Sequence, residues 1–225
     1  MTVRADTAPT RQAQIVVGTL ILLDLAIFTL IAEDLLDGGG LVSRDRTVLT
    51  WFVVHRTDGW ISAARLVSTL GGFAGLAIVG VLGGLWLWRR GWHVLAPGPV
   101  VALVLASLAS SAAKALFGRS RPPVIVQEVT VTSAAFPSGH ATDAAAFFVA
   151  ASFALTLTVV HRRRTKVMVV AAGLLLAGLV GLSRLVLGVH WLSDVVAGWS
   201  LGSATGLAGG LALWWATATR APRAG

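Results

Sequence analysis

The chain has 225 residues, of which 56% are apolar and 12% charged, with a mean hydropathy of +0.80. A water-soluble domain carries about a quarter charged residues, so this composition excludes one and indicates an integral membrane protein. The formal charge of +8 is read by where the basic residues fall along the spans, not as a nucleic-acid footprint, and without cysteine no disulfide or thiolate nucleophile is available.

Spans of ~20 residues each predict an all-α protein of six transmembrane helices, forming a single transmembrane domain over residues 1–225. The first apolar run, Gln14 to about Leu36, is longer than the ~7 to 15 residues of a signal-peptide core and ends in Glu33, Asp34 and Asp37, so a retained span is expected. After Gly38 to Gly40, the stretch Val42 to Arg56 sets Val48, Leu49, Phe52 and Val53 against Arg44, Asp45, Arg46 and Arg56, the pattern of a short interfacial helix. The second span is expected from about Ile61 to Trp88, its many glycines allowing close packing. The others follow at about Val94 to Phe117, Ser138 to Val160, Val167 to Val186 and Ser193 to Ala216.

Six spans put both termini on one side. Ten of the 18 basic residues fall on that side: Arg4, Arg11, Arg89, Arg90, Arg162, Arg163, Arg164, Lys166, Arg220 and Arg223. The cluster HRRRTK in one short turn marks it as cytoplasmic. Eight of the nine tryptophans lie near span ends, as headgroup-level rings do, and only Trp199 lies well inside.

The opposite face carries an unusual set of polar groups. Lys114 ends the third span, Arg119, Arg121, Pro122 and Pro123 begin the longest loop, and Pro137, Ser138, Gly139 and His140 open the fourth span. The next turn on this face adds Ser183, Arg184, His190 and Asp194. Lys114, Arg121 and Arg184 with two imidazoles and a carboxylate at one depth beside hydrocarbon point to function. The chemistry they suit is phosphoryl transfer. Fixed cations match the charge spread over three phosphoryl oxygens, and Arg binds such oxygens bidentately. Ser138 and Gly139 stand where a helix begins, so free amides and the positive helix end can face an anion, with a plain N-cap as the alternative for Ser138. One imidazole then attacks phosphorus while the other protonates the departing oxygen. His190 and Asp194 are four apart, so a helix places them on one face, where the carboxylate can hold one ring nitrogen and leave the other free.

Lys114 to Pro122 reads KxxxxxxRP, Pro137 to His140 reads PSGH, and Ser183 to Asp194 reads SRxxxxxHxxxD. With these three motifs in order, the chain resembles the type 2 phosphatidic acid phosphatase family of membrane lipid phosphatases. The resemblance implies a metal-independent phosphatase with no cofactor and a phosphohistidine intermediate. It makes His190 the nucleophile, Asp194 its orienting partner and His140 the acid and later the base. Lys114, Arg121, Ser138, Gly139 and Arg184 would bind the phosphate. The same motifs occur in vanadium-dependent haloperoxidases, a soluble role that the spans argue against.

The expected substrate is a membrane lipid phosphate or diphosphate, whether polyprenyl diphosphate, phosphatidic acid or phosphatidylglycerol phosphate, cleaved at the extracytoplasmic face of the plasma membrane. A carrier or flippase for phosphorylated lipids is the alternative. A metal site at His140, His190 and Asp194 is disfavoured by the three cations around it. Outside the motifs, Asp24 near the middle of the first span is expected to make an interhelical hydrogen bond, with a proton or ion path as the alternative. Asp143 is left out of the site, and Arg119 and Glu128 are expected to be solvated surface charges.

Overall fold

A computed structural model describes residues 8–220; Arg4 and Arg223, counted above for topology, lie outside that range. The described residues form eight α-helices: α1 (Arg11–Asp37), α2 (Asp45–His55), α3 (Asp58–Leu70), α4 (Phe73–Arg89), α5 (Gly98–Phe117), α6 (Gly139–Thr158), α7 (Arg163–Val186) and α8 (Leu192–Arg220). There is no strand among them. Helices α1, α5, α6, α7 and α8 are each long and apolar enough to cross a membrane, and α3 with α4 makes a sixth crossing if the bent pair counts as one. The fold is all-helical and multi-pass.

The outer surface is apolar, the reverse of a soluble bundle. On α1, Leu22 is 69% and Leu30 59% exposed, as are many aliphatic side chains of α4 and α7. Lipid is the solvent these positions match. Polar groups are gathered inside. Helix α6 is the centre of the bundle and packs on α4, α5, α7 and α8. Its sides are mostly alanine, with Ala141, Ala144, Ala145, Ala146, Ala150 and Ala154 all buried. Small side chains let the surrounding helices come close.

The contact between α6 and α8 is the most intimate. Gly198, Gly202, Gly206 and Gly210 repeat every four residues along α8, and a Cβ on any of them would collide with α6 or the residue that begins it: Ser138 O from Gly198, the Thr142 carbonyl from Gly202, Ala146 O from Gly206, Phe153 from Gly210. This stripe sets the start of α6 against the start of α8.

The second span is not one continuous helix as expected. The chain breaks at Gly71 and Gly72 and turns by 52° between α3 and α4. Two causes act together. Gly72 takes an extended N-cap conformation (φ −78°, ψ 167°), and a Cβ at Gly71 would run into Val180 of α7. Helix α4 alone is about 25 Å long and starts at the level of His140, which lies 3.1 Å from the position a Gly72 Cβ would take. Helix α3 is thereby released to pack on α7 beside the polar groups. Below them, α4, α6 and α7 line a partly open apolar cavity of about 380 Å³ bordered by Gly80, Gly83, Phe147, Phe148 and Gly173.

Candidate active site

The end of α5, the starts of α6 and α8, and the end of α7 meet at one end of the bundle. Two left-handed glycines make the turns. Gly118 (φ +55°) closes α5 by donating its amide to Lys114 O at 3.0 Å, and Gly188 (φ +66°) reverses the chain after α7 so that His190 arrives at the mouth of α8. Glycine adopts such φ values at no steric cost.

His190 and Asp194 are 2% and 0% exposed. Asp194 lies in the first turn of α8, where its Oδ2 accepts the Trp191 amide at 2.9 Å and lies 3.3 Å from His190 Nδ1. His190 Nε2 lies 3.0 Å from Arg121 NH1. A guanidinium only donates, so Nε2 is the acceptor and the ring proton sits on Nδ1, directed at Asp194. Burial lowers the His190 pKa to about 4, with the Asp194 carboxylate opposing that shift. The imidazole is therefore neutral near pH 7, with one lone pair aimed toward the cations.

Three cations lie at this end of the bundle. Arg121 is spread over the Ser133 carbonyl (2.6 Å), the Val189 carbonyl (2.6 Å) and the Ser133 hydroxyl (3.1 Å). Burial lowers its pKa from the usual guanidinium value, with Asp194 acting in the opposite sense. Lys114 donates to Ala134 O at 2.6 Å. Arg184, 4% exposed, donates through NH1 to the Ser68 hydroxyl, and its Nε is buried with no partner. Lys114, Arg121 and Arg184 repel one another, a cluster that an anion would relieve.

Ser138, Gly139 and His140 supply the facing wall. The Ser138 amide is not free for an anion, as the sequence alone leads one to expect, because it donates to Asp194 O at 2.9 Å. The donors that remain are the first-turn amides of α6 after it, which have no intrahelical acceptor. Nor is the Ser138 side chain an N-cap: its hydroxyl makes no capping bond and its Oγ is buried without a partner. Gly139 keeps the wall low, since even a Cβ there would lie 3.8 Å from Lys114 Cε. His140 interacts electrostatically with Arg184, His190, Arg121 and Lys114. Two buried polar atoms without partners, Ser138 Oγ and Arg184 Nε, thus sit beside a neutral imidazole and a cation cluster. Buried polar groups are rarely left so.

Several residues here carry no local signal. Ser68 and Gly72 come from the broken span: Ser68 accepts from Arg184, and the missing Cβ of Gly72 leaves room for the His140 ring. Arg119 is not a solvated surface charge: its side chain is 11% exposed and bridges Asp194 (2.5 Å) and Asp45 (2.6 Å). Glu128 is likewise paired, with Arg56 at 2.9 Å and Arg65 at 3.2 Å, tying the long loop to the segment around α2 and α3. Asp143 is buried near Lys114 and Ser107, with Oδ1 unpartnered. Asp24 makes no interhelical hydrogen bond among the described residues.

The family model described as the PAP2 superfamily matches residues 98–220, the segment holding all eight candidate residues. Phosphatidylglycerophosphatase B of Bacillus subtilis is 29% identical over 183 residues, 79% of this chain and 87% of that protein. Decaprenylphosphoryl-5-phosphoribose phosphatase of Mycobacterium tuberculosis is 36% identical over 156 residues, covering 66% and 77%. The crystal structure of a transmembrane PAP2-type phosphatidylglycerolphosphate phosphatase from Bacillus subtilis matches the fold with a TM-score of 0.70 at 24% identity, over 86% of this chain and 93% of that one.

Proposed function

The chain belongs to the PAP2 superfamily of membrane phosphatases, and from that premise we propose that it hydrolyses a lipid phosphate or diphosphate through a phosphohistidine on His190. The observation that carries this reading is the pairing of His190 Nδ1 with Asp194 while Nε2 faces Arg121, next to the unpartnered Ser138 Oγ and Arg184 Nε.

In this mechanism Lys114, Arg121, Arg184, Ser138 and the amides following it bind the phosphoryl oxygens. Arg121 shifts its NH1 from His190 to an oxygen. The Nε2 lone pair attacks phosphorus, the bond from phosphorus to the leaving oxygen breaks, and His140, which takes up a proton once the bound phosphoryl anion offsets the surrounding cations, gives that oxygen its proton. Asp194 stabilises the positive charge that develops on the His190 ring. Neutral His140 then takes a proton from water, the hydroxide attacks phosphorus, and the P–N bond breaks to release inorganic phosphate and free His190. Every charge that develops has a fixed partner, so the reaction is assigned to side chains alone, without a metal ion.

We place the active site on the extracytoplasmic side, with α3 and α4 together as the second of six spans, α2 as the interfacial helix, both termini cytoplasmic and residues 1–225 as one domain. The support is the basic residues Arg89, Arg90 and Arg162 to Lys166 at the end opposite the site. The substrate is a phosphate on a lipid anchor. The two curated relatives are named for a glycerophospholipid and for a polyprenyl-linked phosphosugar, which share only that feature, and the apolar cavity below His140 suits a hydrocarbon tail. A site at the outer face favours a recycled polyprenyl diphosphate. Transport without cleavage gives no use for an oriented imidazole.

The test is inorganic phosphate release by detergent-purified protein and its His190→Ala variant, in EDTA, from polyprenyl diphosphate, phosphatidic acid and phosphatidylglycerol phosphate. Release by wild type alone is expected. No release from any lipid by folded wild type would favour the carrier.

A further inference from the structure

Arg119 does not line the anion site, yet it is ion-paired with two carboxylates at once. NH1 donates to Asp194 Oδ1 (2.5 Å) and Ser193 Oγ (2.7 Å), and NH2 donates to Asp45 Oδ2 (2.6 Å). Asp45 in turn accepts the Ser193 amide at 2.9 Å on Oδ1 and the Ser193 hydroxyl at 2.6 Å on Oδ2. The guanidinium covers the Trp191 ring at 5.7 Å, and the Trp191 indole N–H anchors to Ser120 O at 3.0 Å. Exposure of the three charged side chains is 11% for Arg119, 4% for Asp45 and 0% for Asp194.

Such a largely buried network has two consequences. First, Asp194 Oδ1 is claimed by Arg119, so only Oδ2 is left for His190 Nδ1, and the carboxylate cannot rotate. Second, two carboxylates around one guanidinium leave one net negative charge beside the imidazole. At low local dielectric that sum matters more than any single partner. Asp45 lies in α2, outside the segment matched by the family model, so this contribution comes from the chain's own N-terminal part.

We propose that Asp45, Arg119 and Ser193 form a positioning relay for the His190–Asp194 pair, fixing the plane of the Asp194 carboxylate and the net negative charge it presents to the nucleophile. The relay rests on the reading of His190 as the attacking base. Arg119 and Asp45 are positioning residues, since neither touches the anion site. The other groups facing His190 are Arg121 from the long loop, Arg184 on α7 and His140 on α6, with Lys114 of α5 beyond them near Asp194. None is changed by substitutions in the relay.

The experiment is kcat and KM against pH for wild type, Arg119→Gln, Arg119→Lys, Asp45→Asn and the double variant, in EDTA. The substrate is whichever of polyprenyl diphosphate, phosphatidic acid and phosphatidylglycerol phosphate the wild type cleaves fastest. Arg119→Gln leaves two uncompensated carboxylates, so His190 holds its proton more tightly and the acid limb of kcat/KM moves to higher pH. Asp45→Asn leaves Asp194 fully compensated by Arg119, so the limb moves to lower pH. Both variants lower kcat on the order of ten- to a hundredfold with a smaller change in KM. Arg119→Lys recovers part of the loss, and the double variant is no worse than Arg119→Gln alone. Opposite displacements of the limb are something a merely structural ion pair does not produce. If Arg119→Gln does not fold, the nearly isosteric Asp45→Asn decides by the direction of its limb. Unshifted limbs in active wild type and variants would overturn the relay while leaving the phosphatase reading intact. A wild type that releases no phosphate would overturn both.

Discussion

Asp194 holds His190 by one ring nitrogen and the start of α6 by its backbone: Oδ2 lies 3.3 Å from His190 Nδ1, and its carbonyl accepts the Ser138 amide at 2.9 Å. One residue thereby couples the orientation of the imidazole to the position of the helix mouth it faces. Asp194→Asn keeps the size of the side chain but removes the charge that stabilises a positive imidazole. The expected outcome is a fall in kcat on the order of a thousand- to ten-thousandfold, by analogy with the loss of the carboxylate behind a catalytic histidine. Phosphate release by a monodisperse variant checks it.

The folded pKa of His190, lowered to about 4 from 6.5, has a sign that stability can read. Above pH 6.5 the ring is neutral whether folded or unfolded. Between 6.5 and 4 the unfolded chain takes up a proton that the folded one refuses, so stability falls as pH drops through this window, by up to about 3 kcal/mol. Thermal unfolding of wild type against His190→Gln at pH 7 and pH 4.5 checks this: the wild type loses more, because the variant lacks the group.

Arg184 presents its two faces to different partners, NH1 to the Ser68 hydroxyl and Nε to no protein group. Arg184→Lys retains the charge but not the planar fork, and a drop in kcat/KM of about a hundredfold is expected. Ser68→Ala leaves the guanidinium charged but loose, and costs about tenfold, in line with about 1.4 kcal/mol for one orienting hydrogen bond to a charged group. Steady-state kinetics on both variants separates charge from orientation.

The glycine stripe on α8 predicts a stability effect. A side chain at 202 would strike the Thr142 carbonyl of α6, which backbone cannot yield as a flexible side chain can. Gly202→Val is expected to lower thermal stability by the equivalent of about 2–3 kcal/mol or prevent folding, whereas Gly178→Ala on α7, where nothing lies within 4 Å, leaves it unchanged. Melting temperatures in detergent provide the comparison.

Much of this was legible in the sequence because it is written locally. Helix existence followed from apolar runs, and the eight candidate residues from three short motifs that the fold brings to one end. The break at Gly71 and Gly72 was not legible, since two glycines inside an apolar run leave hydropathy unchanged and the crowding comes from Val180, far along the chain. Arg119 and Asp45 read as surface charges for the same reason. They are 74 residues apart, and nothing local shows that they meet in a largely buried site. A helix start normally leaves its amides free, whereas tertiary packing against Asp194 uses that of Ser138.

The most direct test of the central claim is to look for the covalent intermediate. His140→Ala removes the base that activates water, and an aryl phosphate, whose leaving group departs without a proton, lets the first step proceed without the acid, so rapid mixing of this variant with an aryl phosphate, an alkaline quench and peptide mass spectrometry should find a phosphoryl group on His190. A phosphoryl group on another residue would contradict the assignment. So would single-turnover phosphate release with His190 never modified.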